Sequence, residues 1–330
     1  MSCDFGEEDP FSFGQHSGGG GADALAAPSA SSAIPAQISD GPEEFLPFSK
    51  LNEKYRFDDS VEPDGSGTFG RVYFGVQLET GKPVVVKKVC SIPTCQNRDC
   101  SLESVIREAR TAMLFNSQYL CKVYGFSVDD AGFVYIVMER IIGTDAFDFF
   151  TDNLLLGKTN PLLVQRILLD IARGLATLHA AGFAHRDIKL DNVMLEFKSG
   201  EFVRAVIIDF GFTMLVSEIP HGSAQGSICY SAPEIIQNGA LTEKMDMWAV
   251  GVMLFVSLHG YYPIWSKHQD RGKEFRDVFQ KLQKLTESPE LPIYTEGNKD
   301  VNHLRMICAR CLEFDQDARI CAEELLALLS

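Results

Sequence analysis

Long apolar runs are the first thing this 330-residue chain lacks. The longest candidate, Trp248 to Leu258, is far short of the roughly twenty residues that cross a bilayer, so no membrane span is expected. Basic charge is scarce as well: 30 Lys and Arg stand against 45 Asp and Glu, a net charge of −15. That balance argues against a surface that grips nucleic acid. The first 48 residues hold no Lys or Arg and no apolar run of the kind a secretory or mitochondrial leader carries. Ser2 stands where N-myristoylation needs Gly. The expected location is the cytoplasm, with entry into the nucleus left open. Cysteine is present, nine in all, but without zinc spacing: Cys90, Cys95 and Cys100 fall at five-residue intervals, and the C-x-x-C pair Cys308 and Cys311 lies in an apolar helical pattern. An odd count and a cytosolic setting make free thiols the expectation. Cys308, Cys311 and Cys321 then read as small hydrophobes in helices, and Cys90, Cys95 and Cys100 as candidate redox sensors.

What is present divides in two. Residues 1–48 carry eight of the acidic side chains, a glycine run at Gly18–Gly21, an Ala/Ser-rich stretch and prolines at 28, 35 and 42. Such a composition buries too little apolar surface to offset chain entropy, and a disordered tail is expected. Its aromatic islands, Phe11 with Phe13 and Phe45 with Phe48, are candidates for docking a partner or the folded part. Residues 49–330 form that folded part; the chain's 45% hydrophobic content is enough to fill two cores.

Three motifs follow one another along it. Gly65-Ser66-Gly67-Thr68-Phe69-Gly70 runs into Val72–Val76 and, across the turn Thr80-Gly81-Lys82-Pro83, into Val84–Val89. This is a strand–turn–strand hairpin, not the strand-to-helix turn of a dinucleotide site. Glycines there let backbone N–H groups approach phosphate oxygens. Glu103–Phe115 has helical spacing. His185-Arg186-Asp187-Ile188-Lys189-Leu190-Asp191-Asn192 is followed, seventeen positions after Asn192, by Asp209-Phe210-Gly211.

Together with Met138-Glu139-Arg140-Ile141, Ala232-Pro233-Glu234, Asp246-Met247-Trp248 and Arg319, these stretches identify the chain, from about Leu51 to Ser330, as resembling the eukaryotic protein kinases of serine/threonine type. The resemblance implies an α+β, bilobal fold: a small β-rich N-lobe over about residues 49–139 with a regulatory helix, a hinge at about 139–144, and a larger, mainly helical C-lobe reaching residue 330. It implies ATP and Mg²⁺ as cosubstrate and cofactor, and protein Ser/Thr hydroxyls as acceptors. Asp187 would orient and deprotonate the acceptor, Lys189 neutralise the moving phosphoryl group, and Asn192 and Asp209 ligate metal. Lys87, fifteen residues after Val72, would hold the α- and β-phosphates with Glu108 as its partner. Lys88 is expected on the opposite, solvent face of the strand. Nucleotide contacts are assigned to Gly65, Ser66, Gly67, Thr68, Phe69, Gly70, Val72, Val85, Met138, Glu139, Ile141, Asp145 and Met194. Glu234 is expected to pair with Arg319 as a structural ion pair, and Asp246 is a further structural position. Ser227 would bridge Asp187 and Lys189.

The same resemblance suggests control and selection. Arg186 and Arg107 could receive an activation-segment phosphate on Ser223 or, second, Ser217. Asp145 and Asp191 could meet arginines upstream of the acceptor, and Asp145 alternatively the ribose. Three positions depart from the pattern: Asp64 replaces an aliphatic roof over the base, Val85 replaces Ala and narrows the pocket, and Ala112 leaves room beside the Glu108 helix. The alternative function is a pseudokinase, a nucleotide-binding scaffold without transfer; retention of Lys87, Glu108, Asp187, Asn192 and Asp209 favours the active enzyme.

Overall fold

β-branched runs punctuated by turns build the first lobe of the described chain. A computed structural model describes residues 46–67, 70–90, 101–155, 160–220, 225–264, 271–292 and 298–330. Helix α1 (Phe48–Lys54) leads into β1 (Tyr55–Phe57), β2 (Gly65–Gly67), β3 (Gly70–Gln77) and β4 (Pro83–Cys90), then α2 (Leu102–Met113), β5 (Val123–Val128) and β6 (Phe133–Glu139). The six strands form one antiparallel sheet in the order β1-β3-β4-β6-β5, with β2 also on β3. Ser101 caps α2, its side chain accepting the Ser104 N–H at 3.2 Å. Val105, Ala109 and Ala112, at helical spacing, form its buried face.

The outer face of this sheet is not bare. Val84, Val86, Tyr135 and Val137 form a core there with Leu46, Leu51 and Tyr55 of the entering chain, and Phe48 packs against the Tyr135 ring at 4.9 Å. Leu46, Pro47 and Phe48, which composition assigns to the tail, therefore belong to the folded lobe; the Leu46 N–H donates to the Phe126 carbonyl at 3.0 Å. This cover also corrects the expectation for Lys88. Strand alternation does turn Lys88 to the opposite face from Lys87, but that face is occupied: its ammonium lies 2.6 Å from Asp59 and over the rings of Phe133 and Tyr135 at 4.7 and 5.1 Å. Burial opposes its charge, yet Asp59 and Tyr135 outweigh that and raise its pKa.

The second lobe is mainly helical. β7 (Gly143–Asp145) and α3 (Ala146–Leu155) precede α4 (Pro161–Ala180), a helix whose Val164, Ile167, Leu168, Ile171, Leu175 and Leu178 repeat every three or four residues and are all buried. Pro161 occupies its first turn behind the Asn160 cap. β8 (Phe183–Ala184), β9 (Val193–Lys198), β10 (Glu201–Ile207) and β11 (Met214–Leu215) follow, pairing as β10-β9-β7 and β11-β8. β7 lies so close to β9 that a Cβ on Gly143 would collide with the Leu195 carbonyl. Helices α5 (Pro233–Ile236), α6 (Lys244–His259), α7 (Arg271–Lys284), α8 (Lys299–Cys311) and α9 (Ala322–Leu329) complete the lobe. The apolar run at Trp248 is thus α6, buried on nearly every side from Met245 to Ser257 and ended by Gly260 in the left-handed conformation. No described helix is long and apolar enough to cross a membrane. Cys308 and Cys311 are buried in α8, and burial pushes the Cys308 thiol up to about 12. Cys321 departs from its helical expectation: it stands before α9 as the N-cap of a capping box, its N–H donating to Glu324 at 2.9 Å. Cys95 and Cys100, and the side chain of Cys90, lie outside the described residues.

Candidate active site

The octet after β8 is an irregular loop because its backbone is claimed by another element. Buried Asp246, in the first turn of α6, accepts the N–H of His185 and of Arg186, both at 2.8 Å, and meets His179 Nε2 at 2.9 Å. Burial would raise its pKa, but the bonds from His179 and the loop backbone lower it. These contacts hold Arg186 at φ 70°, a conformation non-glycine residues rarely adopt. The turn delivers Asp187 into the cleft. The neighbouring His185 ring is wholly buried against Phe210, centroids 5.7 Å apart, and burial depresses its pKa.

Asp187 is the hub. Its Oδ1 accepts from the N–H and hydroxyl of Ser227 at 3.1 and 3.2 Å; its Oδ2 accepts from Asn192 Nδ2 at 2.9 Å and lies 3.0 Å from Lys189 Nζ. Lys189 also donates to the Ser227 hydroxyl at 3.1 Å. Ser227 can come this close because Gly226 precedes it: φ is +93°, and a Cβ there would stand 2.6 Å from the Arg186 carbonyl. Asn192 donates its amide nitrogen to the Asp187 carbonyl as well, at 2.8 Å, which fixes its orientation and leaves the amide oxygen for another partner.

Across the cleft, Lys87 reaches Glu108 of α2 at 2.8 Å and Asp209 at 3.6 Å. Desolvation would depress the ammonium, but the two carboxylates outweigh it and raise its pKa. Asp209, like Arg186, has positive φ, 63°, and its Oδ1 accepts the Gly211 N–H at 3.2 Å. Of the glycine-rich stretch, Gly65 and Gly67 lie in β2 and Gly70 opens β3, with Val72 opposite Lys87 and half-buried. Thr68, Phe69 and the side chain of Ser66 lie outside the described residues. Val85 and Met138 face each other across β4 and β6, and Met194 pairs with Asp145 across β9 and β7; all four are partly exposed, while Ile141 is buried.

Other residues assigned to the site have protein contacts of their own. The Glu139 carboxylate turns away, accepting the Lys122 N–H at 2.9 Å and pairing with Arg204 at 2.9 Å. Arg204 in turn bonds Glu196 and the Gln118 carbonyl, so it ties the end of β6 to the second lobe. Asp145 uses one carboxylate oxygen on the Asp148 N–H, 2.8 Å, at the start of α3. Asp191 is exposed. Glu234 and Arg319 form a bidentate pair, 2.6 and 3.0 Å, with the guanidinium also bonded to the Glu313 and Lys244 carbonyls and lying over Trp248. Arg186 reaches the Met214 sulfur at 3.9 Å. Burial lowers its pKa; the Asp246 charge opposes this, and the positive charge of Arg107 adds a little to the lowering. Ser217 is exposed; Ser223 lies outside the described residues. Sequence reasoning missed the Arg204 brace, whose partners are 65 and 8 residues away, and the double acceptor role of Asp246.

The comparisons agree with this geometry. Residues 60–328 match the family model described as the protein kinase domain. The chain is 30% identical over 250 residues to serine/threonine-protein kinase dkf-1 of Caenorhabditis elegans, covering 74% of this chain and 32% of that protein. It is also 30% identical over 217 residues to the probable serine/threonine-protein kinase 2 of Plasmodium falciparum, covering 66% of this chain and 39% of the relative. With calcium-dependent protein kinase 4 of the same organism it shares 26% identity over 277 residues, 84% of this chain and 49% of the relative. The matched part of the chain thus spans about a third to a half of these relatives.

Proposed function

Because this chain belongs to the protein kinase family, we propose that it transfers the γ-phosphoryl group of ATP to serine and threonine hydroxyls of proteins. One observation carries the reading: Asp187, Lys189, Asn192 and Ser227 converge in one bonded cluster while Lys87, Glu108 and Asp209 form a second. The transition state of such a transfer is loose, so positioning and charge compensation do most of the work. Asp187 sits where it can take the acceptor proton, and Lys189 offers positive charge beside it. Lys87, braced by Glu108, grips the α- and β-phosphates. The oxygens of Asn192 and Asp209 are hard donors suited to Mg²⁺, which commonly completes its shell with phosphate and water instead of an all-protein cage. When bound, the ion supplies charge neutralisation along the phosphate chain. Lys189, two positions after Asp187, and the names of the relatives support Ser/Thr acceptors.

Lys87→Met and Asp209→Asn should each abolish transfer while circular dichroism stays close to wild type, because neither side chain fills a core; Lys87→Met also leaves the Glu108 carboxylate without its partner and should lower the thermal midpoint. Phosphorylation of a randomised peptide library with Mg²⁺-ATP checks this and reads acceptor preference in the same assay. Wild-type, Mg²⁺-dependent activity in Asp209→Asn would remove the metal assignment.

Control belongs to the same reading. A phosphate on Ser223 or Ser217, received by Arg107 and Arg186, would hold α2, and with it Glu108, inward. Met214, against Arg186, supplies no third cation. Ser223→Ala and Ser217→Ala are expected to lower activity several-fold in protein that is otherwise phosphorylated. Full activity of unphosphorylated wild type, unchanged by either substitution, would mean the segment is ordered by its own packing.

A further inference from the structure

β3 is bordered on its outer edge by two short strands. β1 pairs with Gly75–Gln77 and β2 with Gly70–Val72, leaving Tyr73 and Phe74 between them. A side chain enters that gap: Asp64 Oδ2 accepts the Phe74 N–H at 2.7 Å. A carboxylate thus stands in for a missing strand, and it fixes the height at which Gly65, the next residue, starts β2.

Phe74 is placed to use that anchorage. Its register partner on β4 is Val85, as Lys87 is the partner of Val72, and alternation puts all four side chains on one face. Lys87 identifies the face, since its ammonium meets Glu108 and Asp209. Phe74 is the outermost of the set, 40% exposed, and the Arg140 guanidinium lies on its ring, 3.5 Å from the centroid. Arg140 directly follows β6, in the segment that joins the lobes. The hairpin over the phosphates is therefore held to the lobe connection at a second point, outside the sheet's own hydrogen bonds.

We infer that Asp64, Phe74 and Arg140 form a clasp that closes the outer mouth of the nucleotide cleft and sets affinity for the nucleoside end of ATP. The inference rests on the reading of this cleft as the ATP site. Asp64 has committed its carboxylate to the backbone and supplies no apolar roof for a base. Phe74, backed by a planar cation that stacks on aromatic faces, supplies the broad apolar surface instead. All three residues lie away from the Asp187 cluster, so they are positioning residues for binding.

The test measures KM for ATP, kcat and calorimetric affinity for a non-hydrolysable ATP analogue, together with amide hydrogen exchange. Phe74→Ala, Arg140→Ala and Arg140→Lys should each raise KM and weaken analogue binding about 3- to 30-fold, the scale of a partly desolvated cation–π pair, with kcat unchanged. Phe74→Ala/Arg140→Ala should be no worse than the worse single change, because the two act as one unit. Asp64→Ala should speed exchange at the Phe74 amide and raise KM, whereas Asp64→Asn, whose amide oxygen can accept the same bond, should do neither. Unchanged KM and affinity in the Phe74 and Arg140 variants, additive effects in the double, or unchanged Phe74 exchange in Asp64→Ala would each overturn the clasp. A fall in kcat alone would overturn it too. Failure of the wild type to bind the nucleotide analogue would instead refute the ATP reading beneath it, and the exchange comparison would still report on the Asp64 anchor.

Discussion

Asp187→Asn should slow phosphoryl transfer by about 10²- to 10⁴-fold, the range that loss of a positioned general base commands. The substitution preserves shape but not bonding. Both oxygens of Asp187 accept: one from the N–H and hydroxyl of Ser227, the other from Asn192, with Lys189 3.0 Å away. An amide nitrogen in either place would face donors, so the loop loses a proton acceptor and its alignment together. Lys87, Glu108 and Asp209 are untouched, and nucleotide binding should survive. Single-turnover transfer to a Ser/Thr peptide, measured beside calorimetric titration with a nucleotide analogue, separates the two. A transfer rate within a few-fold of wild type would show that Asp187 is not the base.

The largest effect on stability is expected far from the chemistry. Arg319 is 1% and Glu234 8% exposed, and the pair is bidentate. Removing either partner leaves the other charge buried and unmatched, at a cost of about 3–5 kcal/mol. Arg319→Ala also strips donors from the carbonyls of Glu313 and Lys244. Urea unfolding should show both single variants destabilised by that amount, and Glu234→Ala/Arg319→Ala should fall short of the sum, because the double leaves no orphaned charge. Losses below about 1 kcal/mol, the level of an exposed pair, would mean that water reaches the site.

Legibility differed between these two kinds of feature and the rest. The loop from His185 to Asn192 announces itself because its chemistry needs base, cation and oxygen ligand within a few steps, and local spacing is what a sequence displays best. Lys87 and Glu108 were readable through strand and helix spacing joined to the family resemblance, and the structure brings them to 2.8 Å. Features set by distant covering were not readable. Alternation places Lys88 on the correct face, but says nothing of Asp59 and the entering chain that cover it. Glu139 sits where a hinge residue belongs, yet its carboxylate answers to Arg204, and no periodicity links the two. Asp145 reads as a ligand-facing acid; the helix that starts at the next residue gives it a backbone partner in the Asp148 N–H.

The Glu139 brace has a mechanical consequence. With its N–H on the Lys122 carbonyl and its carboxylate on Lys122 N–H and Arg204, the end of β6 moves as part of the larger body. On the far side, the Ile142 carbonyl accepts the Phe197 N–H at 3.2 Å and Gly143 is pressed against Leu195. Arg140 and Ile141 therefore span two points on one body, so the bending that opens the cleft falls in the strands ahead of Glu139 and not in these two residues. Arg140 then stays with the larger body, and its guanidinium, resting on the Phe74 ring, meets the part that must lift.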